Sequence, residues 1–253
     1  MRPLLLLILT ACLHAQVRDT RGFSQGWRFR LGEFERGEGG QALGNFDTPP
    51  SWDIVNLPHS FNAANTFVPV RGYYRGNGWY RRRFTLDPSH SGKKVFLEFG
   101  AAFSIADLWV NERHAGKYLG GYTGFSADVT DLLRPGENLV AVRVNSAHNA
   151  DVPPGKEIPD YNLYGGLYRE ASLVIKDRVY IPQRGLKVTT SRDSAAVEVR
   201  VRNDYAEERK VTCRLRIEDP TGGAIISTLT QTIGAGVEAV FRFAEAIPHP
   251  MLW

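Results

Sequence analysis

The stretch Arg134–Asn145, RPGENLVAVRVN, decides the fold. Pro135-Gly136 is turn chemistry: proline presets one backbone angle, and glycine tolerates the positive φ that closes a tight turn. Beyond it Val140, Val142 and Val144 occupy alternate positions, which a strand converts into one apolar row facing inward. The same two-residue period recurs at Val95, Leu97, Phe99; at Ala106, Leu108, Val110; at Val197, Val199, Val201; at Val211, Cys213, Leu215, Ile217; and at Val237, Ala239, Phe241, Phe243. Asp87-Pro88-Ser89, Asp219-Pro220-Thr-Gly-Gly223 and Gly234-Ala-Gly236 supply further turns. No long helical period interrupts them. Short strands broken by turns about every ten residues predict an all-β chain built of sandwiches.

A boundary is expected at Asp177-Arg178. Before it strands are rich in Trp, Tyr and Phe and broken by long loops; from Val179 onward aromatics thin out. The division gives residues 16–177 as a jelly-roll-like β-sandwich and residues 178–253 as an incomplete immunoglobulin-like β-sandwich. The second has about 75 residues where such a module needs ~100. The chain runs to Pro248-His-Pro-Met-Leu-Trp253, a proline-broken apolar segment read as stopping inside or just before a last strand.

The 253 residues are 43% hydrophobic and 23% charged, a globular profile. Net charge is +4, but 31 Lys and Arg are scattered among 27 Asp and Glu, too diffuse for a nucleic-acid stripe. In Trp79-Tyr80-Arg81-Arg82-Arg83-Phe84 the basic triplet reads as the wet face of a strand. The N-terminus, MRPLLLLILTACLHAQ, has the layout of a secretory signal over residues 1–15 rather than of a membrane span. Secretion or periplasmic export is expected, with cleavage after Ala15, or alternatively a lipid anchor at Cys12, since Leu9-Thr10-Ala11-Cys12 resembles a lipobox. The other cysteine, Cys213, sits on the apolar positions of a strand and reads as a core residue.

Six blocks then carry a family resemblance: Leu57-Pro58-His59, Gly72-Tyr-Tyr-Arg-Gly-Asn-Gly-Trp-Tyr-Arg81, Leu108-Trp-Val-Asn111, Gly120-Gly-Tyr-Thr-Gly-Phe125, Asp151-Val-Pro-Pro154 and Tyr164-Gly-Gly-Leu-Tyr-Arg169. In this order and spacing they resemble the N-terminal sugar-binding domain of glycoside hydrolase family 2, which includes β-galactosidases, β-mannosidases and β-glucuronidases. Residues after 178 resemble the start of that family's immunoglobulin-like second domain. The resemblance implies that catalysis belongs to two glutamates on a third domain, a (β/α)₈ barrel that needs roughly 250 residues of its own. A retaining mechanism needs two carboxyls ~5 Å apart, and nothing in the two sandwiches supplies that pair on a recognisable scaffold. No catalytic residue is therefore assigned.

Asn111-Glu112 copies the Asn-Glu pair that carries the family's acid/base. Its context, Asp107-Leu-Trp-Val-Asn-Glu-Arg-His-Ala-Gly116, reads instead as strand, tight turn and returning strand. The six histidines are isolated, and no HExxH or paired-cysteine spacing exists, so neither a metal nor another cofactor is expected. No P-loop, strand-linked GxGxxG or Gly-x-Ser-x-Gly elbow is present.

Carbohydrate is the partner the residues favour. A sugar offers an apolar C–H face and a ring of hydroxyls, which proteins meet with aromatic platforms and paired Asp, Asn and Arg. Two loop segments have that mixture. Residues 62–77 offer Arg71, Tyr73, Tyr74, Arg75 and Asn77; residues 145–162 offer His148, Asn149, Asp151, Asp160, Tyr161 and Asn162. Arg71, Asn149, Asp151, Asp160 and Tyr161 are the candidate substrate-binding residues, the loop stiffened by Pro153-Pro154. Such aromatics also serve as ordinary core or inter-domain packing, and such carboxylates as solvated loop charge. In DYNLYGGLYRE, residues 160–170, Gly165 and Gly166 are expected to let the chain bend or lie close to a neighbouring backbone. Tyr164 and Leu167 then enter packing while Asp160 and Tyr161 stay on the loop. Three readings follow: the N-terminal part of an exported family 2 glycosidase cut off before its barrel, a stand-alone secreted carbohydrate-binding or interaction module, or an enzyme acting through Glu112 or Asp160.

Overall fold

The computed structural model describes residues 18–33, 52–63, 74–155, 161–218 and 223–248. Residues 1–15 with Cys12, the candidates Arg71 and Asp160, most of the turn at 219–223 and residues 249–253 lie outside them. The described chain is almost entirely antiparallel strand. Its strands are β1 (Arg18–Gly22), β2 (Trp27–Leu31), β3 (Asp53–Val55), β4 (Asn77–Thr85), β5 (Lys94–Phe99), β6 (Ile105–Val110), β7 (Arg113–Leu119), β8 (Phe125–Asp128), β9 (Glu137–Asn145), β10 (Ala171–Lys176), β11 (Val179–Tyr180), β12 (Leu186–Thr190), β13 (Ser194–Asn203), β14 (Arg209–Glu218), β15 (Ala224–Ile233) and β16 (Glu238–Ala246).

Two sheets form the first sandwich: a six-stranded sheet ordered β3-β2-β4-β9-β6-β7 and a four-stranded one ordered β1-β10-β5-β8. β1 reaches across the whole unit to pair with β10, Arg18 opposite Lys176 and Gly22 opposite Ser172. The apolar rows meet between the sheets. Val140, Val142 and Val144 of β9 are fully buried against Leu97, Phe99, Leu173 and Ile175 of the opposite sheet, with Trp27, Phe29 and Tyr80 filling one end. Each such side chain contributes roughly 1.5–3 kcal/mol by leaving water, so the alternation is enough to select this face. Trp27 anchors its end twice, by packing and by donating Nε1–H to the Phe23 carbonyl at 2.8 Å.

The arginine triplet departs from its expected place. β4 is central, paired with β2 on one side and β9 on the other, and its outer face is covered at Arg81 and only partly exposed at Arg83. Arg81 is fully buried, its guanidinium 5.0 Å from the centre of the Trp52 ring. Arg82 points to the other face and lies 3.9 Å over the Phe23 ring. Arg83 ion-pairs with Glu137 at 3.3 Å.

β13 organises the second sandwich, with β11 and β12 along one edge and β16 along the other. The β14–β15 hairpin faces it, and Val197, Val199, Val201, Ile233, Phe241 and Phe243 form the core between. This is the A-B-E and C-C′ order of an immunoglobulin-like sandwich. Val237 is not part of the buried row: its N–H closes the turn onto the Gly234 carbonyl at 3.3 Å, and the side chain is 49% exposed ahead of β16. Cys213 packs half-buried against the core, and burial raises its thiol pKa.

At Asp177-Arg178 the two sandwiches meet through charge. Lys93 Nζ lies 2.7 Å from Asp177, which also accepts the Tyr205 hydroxyl at 2.8 Å. Lys94 pairs with Asp128 and, across the junction, with Asp204 at 3.3 Å. Asp204 further accepts from Tyr180 and Arg202. The Arg178 guanidinium reaches the Gly92 carbonyl at 2.9 Å.

Candidate functional site

At one end of the first sandwich, loops between strands enclose a cleft of about 580 Å³. Its walls come from four separate segments: Pro58, His59, Ser60 and Ala63; Phe103; Tyr122; and residues 161–168 with Tyr161, Asn162, Leu163, Tyr164 and Tyr168. Tyr122, Tyr161 and Tyr164 are about half exposed, at 52%, 55% and 45%. Three exposed tyrosines around one opening are an unusual apolar investment for a soluble surface.

The glycine pair explains how the segment lies there. Gly165 is pressed so close that an added Cβ would meet Phe61 Cζ and Ser146 Cβ at 2.5 Å. At Gly166, with φ +132°, a Cβ would sit 2.7 Å from Tyr80 Oη and against the His59 carbonyl oxygen. Only glycine permits both approaches. Backbone bonds fasten the segment on two sides: His59 N–H to the Leu167 carbonyl (2.8 Å), Phe61 N–H to the Gly165 carbonyl (3.0 Å) and Phe103 N–H to the Gly166 carbonyl (3.1 Å). Leu167 is fully buried as expected, but Tyr164 is not; Leu163, 4% exposed, takes the packing position. With the glycines flat against residues 59–61, the side chain just before them turns outward.

Asn62 is the knot of the site, and the sequence carries no signal that singles it out. Completely buried, it donates Nδ2–H to the carbonyls of Tyr74 (3.1 Å) and Leu163 (3.0 Å). Its Oδ1 accepts the Gly165 N–H (2.9 Å) and the Ser60 hydroxyl (3.2 Å). One amide therefore joins three loops with all its capacity used. Beside it, His59 Nδ1 lies 2.9 Å from the hydroxyl of the buried Tyr80, which accepts the Leu167 N–H at 3.3 Å. Burial lowers the His59 pKa, with Asp53 pulling it part of the way back, so the imidazole is neutral at pH 7. Tyr168 donates its hydroxyl to the Gly121 carbonyl, fixing the loop that bears Tyr122. Burial raises the Tyr122 pKa, and the Tyr161 hydroxyl beside it adds to the effect.

Of the candidates, Tyr161 lies in the cleft wall. Asn149 lines a separate dent of about 10 Å³ that shares Phe103 and Leu163 with the cleft, room for about one water. Its Oδ1 accepts the Asp151 N–H at 2.8 Å, an Asx turn that holds the loop before Pro153-Pro154. Asp151 is exposed and lines neither space. His59, Ser60, Phe103 and Tyr122 are not among the candidates; they come from three places in the chain and meet through the bonds above.

Glu112 is at the other end of the sheet. β6 begins at Ile105, opposite Asn145 beside the cleft, and ends at Val110, roughly 20 Å away. There Asn111 (φ 49°) and Glu112 (φ 68°) form the two-residue turn into β7, the positive-φ pair of a type I′ hairpin. Asn111 serves structure: its Nδ2–H reaches the Leu132 carbonyl (2.9 Å) and Asn138 Oδ1 (2.7 Å), and its Oδ1 accepts the Leu139 N–H (3.0 Å). Among the described residues no group of three His, Cys, Asp or Glu is placed to hold a metal ion, and no helix is long and apolar enough to cross a membrane.

The cleft can therefore stack a ring on phenol faces and offer it an imidazole, a hydroxyl and an amide. Residues 42–177, more than half of the chain, match the family described as "Glycosyl hydrolases family 2, sugar binding domain". A β-glucuronidase of Bacteroides fragilis is 29% identical over 263 residues, covering 99% of this chain and 35% of that protein. A β-galactosidase of Thermoanaerobacter pseudethanolicus is 36% identical over 152 residues, 58% of this chain and 20% of that one. The crystal structure of a Bacteroides uniformis β-glucuronidase superimposes with a TM-score of 0.84 at 26% identity, over 93% of this chain and 28% of that chain. The chain thus spans about a third or less of the length of the relatives it matches.

Proposed function

Since the chain belongs to glycoside hydrolase family 2, we propose that it is the N-terminal, non-catalytic carbohydrate-binding part of an exported family 2 glycosidase that hydrolyses β-glycosides. Bond cleavage is assigned to a carboxyl pair on a catalytic barrel elsewhere in the longer enzyme, where one carboxyl protonates the leaving oxygen and the other attacks the anomeric carbon. The two sandwiches hold and orient the sugar beside it. One observation carries this reading: three of the six family blocks converge on one cleft, through Pro58 and His59, through Tyr122, and through Tyr164 and Tyr168. Tyr161 stacks on the apolar face of the ring, with Asn149 in the adjoining dent; Asp151, Asp160 and Arg71 are assigned as polar partners from the loop composition alone, Asp151 standing clear of the cleft wall. Export is supported by the N-terminal layout, positive Arg2 followed by an apolar core and small residues, with a lipid anchor at Cys12 as the alternative.

Titration of the 253-residue protein with methyl β-galactoside, β-glucuronide and β-mannoside, followed by ligand-observed NMR, tests this. Saturable binding of at least one sugar is expected, weakened about tenfold in Tyr161→Ala, the equivalent of 1.4 kcal/mol. No hydrolysis of the corresponding aryl glycosides is expected from the same protein. Turnover by this chain would overturn the division of labour, and absence of any saturable binding would overturn the carbohydrate reading.

A further inference from the structure

A second cavity, of about 490 Å³, opens between the sandwiches and shares no lining residue with the cleft. One wall is the outer face of β1, β10 and β5, through Arg18, Lys176 and Glu98; the other is residues 180–186, which lead from β11 into β12. Ile175 points into the core of the first sandwich, so its neighbour Lys176 points away from it. The ladder then sets three cations in one row: Arg18 stands opposite Lys176, and Lys176 opposite Lys94. Residues directly opposite share a face, and like charges there repel. Two of the three are answered. Lys94 pairs with Asp128 and Asp204, and Arg18 donates to Glu98 at 3.2 Å.

Lys176, between them, is answered poorly. Its side chain is 5% exposed, and its ammonium donates to the Ile181 carbonyl at 3.3 Å. The carboxylate it faces, Glu98, lies 3.8 Å away and already accepts from Arg18, which is beyond hydrogen-bonding distance. The rings of Phe96 at 4.8 Å and Tyr180 at 5.6 Å cushion the cation but bring no negative charge. An ammonium has three N–H donors, so capacity is left for an acceptor inside the cavity. Burial lowers the Lys176 pKa; Glu98 raises it in part, and Arg18 lowers it further. A buried cation so incompletely matched costs stability until a counter-charge joins it.

We propose that this cavity is a binding site for a small organic monocarboxylate with an apolar body. Arg18 and Lys176 share the single Glu98 carboxylate, which leaves one positive charge to be met, while Glu98 itself repels a second negative charge on the ligand. Arg184, in the same lining, is turned to the Gly124 carbonyl at 3.0 Å. The carboxylate meets the Lys176 ammonium, and the apolar body lies against Tyr180, Ile181 and Pro182. A volume of about 490 Å³ is within the ~300–1,000 Å³ of small-molecule sites. The inference stands apart from the carbohydrate reading.

Titration of the 253-residue protein with benzoate, followed by ligand-observed NMR, tests the site, with benzamide as the uncharged analogue and phenyl phosphate as the dianion. Benzoate should bind saturably, about tenfold tighter than either. Lys176→Met keeps an unbranched chain against Phe96 and Tyr180 but removes the charge, and should weaken benzoate about tenfold. Arg18→Gln, at an exposed position, frees Glu98 to pair with Lys176 and should weaken benzoate as well. Lys210→Met, exposed on β14, should leave it unchanged. No saturable binding of benzoate, equal binding of benzamide, tighter binding of phenyl phosphate, or full affinity in both Lys176→Met and Arg18→Gln would each overturn the proposal. A lysine that only pins the Ile181 carbonyl would give the first of these. Sugar titration at the cleft reads the functional proposal separately, so the two can fail independently.

Discussion

Gly166 and Gly92 make a controlled pair. Both have positive φ, +132° and +76°, but a Cβ at Gly92 finds nothing within 4 Å whereas one at Gly166 strikes Tyr80 Oη at 2.7 Å. Backbone strain alone should make Gly92→Ala cost about 1 kcal/mol, while Gly166→Ala adds a clash with a buried ring and should cost about 3 kcal/mol. Urea unfolding of the two variants measures the difference. Asn62→Ala removes the acceptor of the buried Gly165 N–H and one donor to the Leu163 carbonyl. A loss of about 3 kcal/mol is expected by the same measurement, together with loss of sugar binding as the 161–168 wall loosens. The glycine pair was readable from the chain because only glycine fits such approaches. Asn62 was not: an asparagine in a loop looks the same whether it caps a turn or joins three loops. Tyr164 and Leu163 illustrate the same limit, since which neighbour faces inward depends on where the glycines press.

For single elements, the β6–β7 hairpin carries the clearest prediction. Glu112 occupies φ 68° at the second turn position, a conformation that disfavours a side chain. Glu112→Gly creates the Asn-Gly pair preferred in a type I′ turn and should stabilise the protein by about 0.5–1 kcal/mol. Thermal melts measure it, and sugar titration should be unchanged because the turn is at the far end of the sheet. A fall in stability with loss of binding would contradict the hairpin assignment. Strands were legible wherever one face is buried: β5, β6, β9 and β13 follow the expected alternation because a sandwich interior accepts nothing else. The arginines of β4 depart from the pattern because charge suggests water, whereas Arg81 lies beneath Trp52. Position in the sheet overrode side-chain type. Val237 failed for the converse reason: it keeps the period, but its backbone is used by the turn.

At the scale of the whole molecule, the junction between sandwiches has a pH signature. Burial pushes the Asp177 carboxyl up, but hydrogen bonds from Lys93, Tyr205 and the Val179 N–H, with the Lys93 charge, outweigh it and bring its pKa from 3.8 to about 2. A carboxylate held below its unfolded value stabilises the fold fully above that value and progressively less as pH falls through the folded one. Asp177→Asn should therefore melt lower than the parent at pH 6, with the gap closing as pH drops from 4 towards 2, a trend that melts over this range would reveal. Equal melting at all pH values would mean that solvent screens the junction. The pairing of β1 with β10 bears on time rather than energy. Ser24 and Ala171, bonded beside that pairing, are 147 residues apart, so the sheet cannot close until nearly all of the first sandwich has been synthesised. At ~5–20 residues per second the first strand waits roughly seven to thirty seconds for its partner, and such distant contacts form slowly even then. Throughout that wait β1 is without the strand it pairs with, while the six-stranded sheet can already close.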